Sequence, residues 1–89
     1  MGWRVEFLPE ALKQLSKLDK PVARRLLDYL ESRVTGSADP RSVGKGLTGN
    51  RSAKWRYRVG DYRVLCRIDD GRLLVLVLEV GHRSTVYAG

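Results

Sequence analysis

The sequence predicts an α+β fold, a mainly antiparallel four-stranded sheet with a helical hairpin packed on one face, in the order β-α-α-β-β-β. Three observations carry this expectation. Apolar and polar residues alternate with a period of two near the start of the chain and again from Lys54 onward, as half-buried strands require. Between these regions, leucines and valines recur at helical spacing in two neighbouring stretches. The chain has 89 residues, 43% of them hydrophobic, which suits one modest core and one domain spanning residues 1–89.

The opening strand is Trp3-Arg4-Val5-Glu6-Phe7. Pro9 then stands where a helix begins, its missing N–H costing nothing in the first turn. Ala11, Leu12, Leu15 and Leu18 form the apolar stripe of that helix, with Lys13, Gln14, Ser16 and Lys17 turned outward. Asp19-Lys20-Pro21 breaks it and starts a second helix, with Asp19 as the expected cap. Val22, Leu26, Leu27, Leu30 and Val34 share its stripe, and Gly36 is a natural stop. Residues 36–52 are rich in Gly, Ser, Asp and Asn and read as loop, tacked to the core by Val43 and Leu47. Three strands follow, at about 54–59, 62–68 and 72–80, joined by Gly60-Asp61 and by Asp69-Asp70-Gly71. The last, RLLVLVLEV, is almost continuously apolar. It is expected inside the sheet, beside the N-terminal strand.

Composition removes several function classes. One cysteine, Cys66, excludes an internal disulfide, and with no signal-peptide pattern it points to a reducing, cytoplasmic setting. The apolar run Leu73 to Leu78 is far too short to cross a bilayer, and Glu6 stands where a myristoylation signal needs Ser or Thr. One histidine, His82, argues against metal clusters and histidine-based triads. The glycines at 44, 46 and 49 lack the spacing of a phosphate loop. Cys66 reads as a small core residue, and Glu79 is expected to pair with a nearby arginine.

Net charge is +7 and unevenly placed. Residues 1–44 hold eight Lys/Arg and six Asp/Glu, giving +2, whereas residues 45–89 hold nine and four, giving +5. In KWRYRV the cations occupy alternate positions, so Trp55, Tyr57 and Val59 face the helices while Lys54, Arg56 and Arg58 face away. Arg63, Leu65 and Arg67 join the outer set from the next strand, opposite Tyr62, Val64, Cys66 and Ile68. Gathered like charges repel, which costs stability unless an anion binds there. A solvated surface is the bland alternative.

The stretch KWRYRVGDYRVLCRIDDGRLLVLVLEVGHRSTVY resembles the carboxy-terminal half of RelE-type toxins of bacterial and archaeal toxin–antitoxin pairs. The basic strand 54–58, Gly60-Asp61-Tyr62-Arg63 and the closing Val80-Gly81-His82-Arg83 with Val86-Tyr87 carry the likeness. The amino-terminal FLPEALKQLSKLDKPVARRLLDYL also fits, so nearly the whole chain is covered. The resemblance implies a RelE-like fold and a ribosome-dependent endoribonuclease that cuts mRNA in the A site. It also implies attack of the RNA 2′-hydroxyl on the adjacent phosphate without metal or other cofactor. Carried over by position, the catalytic set is Lys54, Arg56, Arg63, Arg83 and Tyr87. Arg63 and Arg83 hold the scissile phosphate, and Arg56, which rarely gives up its proton, acts electrostatically. Lys54 or Tyr87 is the base. Further RNA contacts are expected from Arg58, His82, Lys45 and Arg51. The implied partners are a RelB-like antitoxin, forming a hetero-oligomer, and mRNA on the ribosome with its A-site rRNA, with no role for a membrane. The alternative implied by the likeness is a ParE-type toxin that inhibits DNA gyrase by binding and cuts no RNA.

Overall fold

Arg4–Phe7 form β1, with Arg4 and Glu6 exposed and Val5 and Phe7 half-buried. The computed structural model describes residues 2–36, 38–46 and 54–84. After β1, α1 (Pro9–Ser16) places Pro9 and Glu10 in its first turn, where a lost N–H is harmless and a negative charge faces the helix dipole. Ala11 is fully enclosed, and Leu15 and Leu18 pack against the core. Leu12, expected in that stripe, is instead 51% exposed.

The second helix, α2 (Lys20–Leu30), buries Leu26 and Leu30 while Leu27 stays 43% exposed. Asp19 stands at its N-terminal boundary, but its side chain makes no capping hydrogen bond, so the expected cap is absent. The chain then widens into a π-helical turn, Glu31–Thr35, which buries Val34. It ends where Gly36 N–H donates to the Glu31 carbonyl at 2.8 Å. With φ at −83°, Gly36 stops the helix without the left-handed conformation that a glycine cap uses.

The sheet has five strands, in the order β1-β5-β4-β3-β2. The strands are β2 (Lys45–Gly46), β3 (Lys54–Val59), β4 (Tyr62–Asp69) and β5 (Leu74–His82). The two-residue β2 corrects the four-strand expectation: it pairs Lys45 with Arg56 and Gly46 with Trp55 inside a stretch read as loop. All pairings are antiparallel except β1 with β5, where Val5 lies beside Val75 and Phe7 beside Val77. Gly60 turns β3 into β4 with φ +61°, and Leu73 takes the left-handed conformation just before β5. The helices cover one face, over Tyr57, Val59, Val64, Cys66, Val75 and Val77. Cys66 is enclosed there, and burial pushes its thiol well above the ordinary range, as an inert core cysteine requires.

Two details shape the other face. Between Leu65 and Cys66 the β5 partner jumps from Glu79 to Val77, so Leu78 is the extra residue of a bulge. Beyond Val77, where β1 has ended, α1 takes over the edge of β5: Val80 N–H donates to Gln14 Oε1 at 2.7 Å.

Residues 38–46 are bound to the sheet by aromatic donors. Trp3 Nε1 donates to the Ala38 carbonyl at 3.3 Å, Tyr57 Oη to that of Pro40 at 2.7 Å, and Trp55 Nε1 to that of Val43 at 2.7 Å. Gly44 sits at φ +84°, and a Cβ there would lie 2.5 Å from Trp55 Nε1. Val43 packs on the core as expected, whereas Leu47 lies outside the described residues. Arg41 completes the attachment, donating to both carboxylate oxygens of Asp70 at 2.9 and 3.0 Å.

The Arg41 guanidinium, by hydrogen bonding and then by charge, holds the Asp70 carboxyl below its usual range. A depressed carboxyl adds stability above its unfolded pKa and loses it as pH falls through the folded value. The Arg41–Asp70 tether is therefore intact at neutral pH and opens in acid below the ordinary carboxyl range. An NMR titration of Asp70 should give a lower midpoint than the same titration in Arg41→Ala. Equal midpoints would refute the tether.

Candidate nucleic-acid interface

Register decides which cations share the uncovered face. Arg58 stands directly opposite Arg63, and Arg63 opposite Gly81. One step along, Lys45, Arg56, Leu65 and Glu79 form the next row. Lys54, Arg67 and Leu76 form a third, with Glu6 beyond on β1. Like charges directly opposite on antiparallel strands destabilise a sheet, so the Arg58–Arg63 pair is retained against its own repulsion.

Arg83 is drawn to this group by the backbone, because its N–H donates to the Asp61 carbonyl at 2.8 Å. The end of β5 is thereby fastened to the β3–β4 turn. The electrostatics show the convergence: the Arg63 guanidinium is held below the usual arginine range. Lost solvation is the first cause, and repulsion from Arg58, Arg56 and Arg83 follows, with Asp61 opposing. The guanidinium groups of Arg56, Arg58 and Arg83 therefore press on that of Arg63 at one end of the sheet. This is the arrangement a phosphodiester would relieve.

The other sequence candidates separate. Lys45 is exposed on the same face, opposite Arg56. Lys54 lies farther along, opposite Arg67, and is not among the cations that act on Arg63. His82 is aligned with Tyr62, its ring edge-on to the Tyr62 ring at 5.5 Å. Tyr62 packs against the helix-side core, so the imidazole leaves the strand on the side away from Arg63. Its Nδ1 accepts from Ser84 N–H at 3.2 Å. Arg51 and Tyr87 lie outside the described residues.

Sequence reasoning missed a cavity of about 450 Å³ on this face, lined by Leu8, Glu10, Gln14, Lys54, Leu65, Leu78 and Glu79. Leu65 is only 5% exposed although it lies outside the main core cluster. Glu79, expected to pair with an arginine, makes no ion pair among the described residues and lines this cavity instead. No hint of the cavity was available, because the bulge that presents both Leu78 and Glu79 sits in a run apolar on both sides. Among the described residues no cluster of His, Cys, Asp and Glu could hold a metal ion. None of their helices is long and apolar enough to cross a membrane.

Fold and face together define a class of small basic α+β proteins with a bare, cationic sheet surface. Residues 5–87 match the family model of the ParE toxin of the type II toxin–antitoxin system parDE. Toxin RelG of Mycobacterium tuberculosis is 32% identical over 87 residues, covering 98% of this chain and 98% of its own. Toxin RelE of the same organism is 27% identical over 85 residues, covering 96% of this chain and 86% of its own. Among solved structures, the toxin–antitoxin complex RelBE2 of M. tuberculosis superposes with a TM-score of 0.82 at 30% identity. It covers 93% of this chain and 100% of the matched one. The intact Escherichia coli RelBE complex gives 0.74 at 24% identity, covering 90% and 95%, which speaks for the fold alone. The chain belongs to the ParE toxin family, within the RelE/ParE superfamily of type II toxin–antitoxin toxins.

Proposed function

We propose that this protein is a RelE-type mRNA interferase, an endoribonuclease that cuts messenger RNA in the ribosomal A site. The observation that carries the reading is the gathering of like charges at one end of the uncovered face, with Arg58 opposite Arg63, Arg56 in the adjoining row and Arg83 fastened to the β3–β4 turn, where their charges repel. A bound phosphodiester would turn that repulsion into attraction.

The RNA 2′-oxygen attacks the neighbouring phosphorus, and the 5′-oxygen leaves and takes up a proton from water. One fragment ends in a 2′,3′-cyclic phosphate and the other begins with a 5′-hydroxyl. Arg63 and Arg83 grip the non-bridging oxygens, and Arg56 and Arg58 stabilise the charge that grows on them in the transition state. Lys54 or Tyr87 accepts the 2′-hydroxyl proton, and rates of the Lys54→Met and Tyr87→Phe variants tell them apart. The chemistry asks for no cofactor and would take place in the cytoplasm, where the ribosomes are. Two solved relatives, at 30% and 26% identity, are the toxin–antitoxin complex RelBE2 of M. tuberculosis and the RelE–RelB complex of Pyrococcus horikoshii, which supports a RelB-like antitoxin as partner. An acidic antitoxin segment, ordering as it binds, would quench the cationic face.

The name of the matching family model, ParE, favours a second reading, inhibition of DNA gyrase by binding. One experiment separates the two. Purified protein is added to a reconstituted translation mixture and RNA 5′ ends are mapped, with a gyrase supercoiling assay run in parallel. Cuts within A-site codons bearing 5′-hydroxyl ends are expected, most of them lost in Arg83→Ala. Intact mRNA with blocked supercoiling would establish the gyrase reading instead.

A further inference from the structure

We propose that the cavity beside the arginine cluster is a base-binding subsite that selects guanine, an inference that rests on reading the chain as a ribonuclease. Position is the first argument. Leu65, in the cavity wall, is the next residue after Arg63 on the same face of β4, about 6.6 Å along the strand. That is close to the span from a phosphate to the base of its own nucleotide. A phosphate near Arg63 and a base over Leu65 are thus separated by about one nucleotide along the strand.

The lining supplies the second argument. Leu8, Leu65 and Leu78 offer apolar surface for the flat of a base. Glu10, Glu79 and Lys54 supply the polar groups, and none of the three has an ion-pair or hydrogen-bond partner among the described residues. Two carboxylates beside a phosphate-binding face repel phosphate, so their use is with hydrogen-bond donors. Single-stranded RNA is read on the Watson–Crick edges of splayed bases. A carboxylate only accepts and an ammonium only donates. Guanine presents two adjacent donors, N1–H and the N2 amino group, beside one acceptor, O6, which matches a carboxylate next to a lysine, and Lys54 used in this way leaves the role of base to Tyr87. Uracil offers a single donor between two acceptors, and its oxygens would face Glu79.

The test uses the full chain with selectively labelled leucine methyl groups, titrated with guanosine, uridine, cytidine and adenosine 5′-monophosphates and with inorganic phosphate. GMP is expected to move the Leu65 and Leu78 methyl signals and to bind about tenfold more tightly than UMP, the worth of a charge-assisted hydrogen bond. Phosphate alone should leave those methyls in place. Glu79→Gln should shrink the GMP preference to about twofold, and Glu10→Gln, at an exposed site, provides a second variant. Equal binding of the four nucleotides, or unmoved leucine methyls, overturns the proposal. Mapped cuts in the translation assay keep the two readings apart. GMP bound in the cavity with mRNA left intact supports the subsite and removes the nuclease. Cuts whose base distribution is the same in the parent protein and Glu79→Gln leave the nuclease and remove the subsite.

Discussion

Arg63→Ala is expected to lower mRNA cutting by about a hundredfold or more, the usual effect of removing one aimed transition-state contact, without weakening the fold. Arg63 stands opposite Arg58 and is pressed by Arg56 and Arg83 as well. Among the described residues its side chain makes only a 3.3 Å hydrogen bond, to the neighbouring Tyr62 carbonyl. Deleting it relieves repulsion and breaks no ion pair among the described residues, so the thermal midpoint should stay level or rise. Arg63→Lys should fall between, keeping the charge and losing the two-pronged grip on phosphate. Single-turnover cutting rates and melting curves of the three proteins check both halves. A destabilised variant that still cuts at the parent rate would show that Arg63 serves the fold.

The largest loss of stability is expected at Tyr57, which is 0% exposed. Its ring meets Tyr29 edge-on at 6.0 Å, and its hydroxyl donates to the Pro40 carbonyl at 2.7 Å. Tyr57→Ala should cost about 4 kcal/mol, as truncation of a buried aromatic does, a large share of the ~5–15 kcal/mol that holds a small domain together. Tyr57→Phe keeps the packing and removes one donor, so about 1–2 kcal/mol is expected. Burial raises the Tyr57 phenol above its ordinary range, so the donor persists in mildly alkaline solution. Urea unfolding of both variants measures the split. A Phe variant as unstable as the Ala variant would show that the hydrogen bond, and not the packed ring, dominates.

Strong periodicity made most of the architecture legible. The alternation of KWRYRV predicts which residues of β3 turn inward, and Tyr57 and Val59 are buried accordingly. The apolar run of β5 predicts its central place, between β1 and β4. Elements fixed by long-range contacts were less legible. Nothing about Lys45-Gly46 in a glycine-rich stretch announces a strand; the Trp55 and Tyr57 hydrogen bonds to Val43 and Pro40 hold it in register. In the helices the stripes were drawn too wide, because Leu12 and Leu27 satisfy the spacing yet lie at the margin of the covered face. The arginine cluster could be anticipated from alternation, since strand geometry dictates it. The pocket formed by Leu78 and Glu79 could not, because a bulge leaves no mark in a sequence apolar on both sides.

The pairing of β1 with β5 has a bearing on synthesis. Among the described residues the strand made first pairs only with the segment 74–82, made after nearly everything else. A growing chain emerging at about 5–20 residues per second thus carries Val5 and Phe7 unmatched for several seconds. Arg83, which closes the cationic group, emerges later still. The cationic face is consequently among the last parts of the fold to be completed, closed only when almost the whole chain has been made.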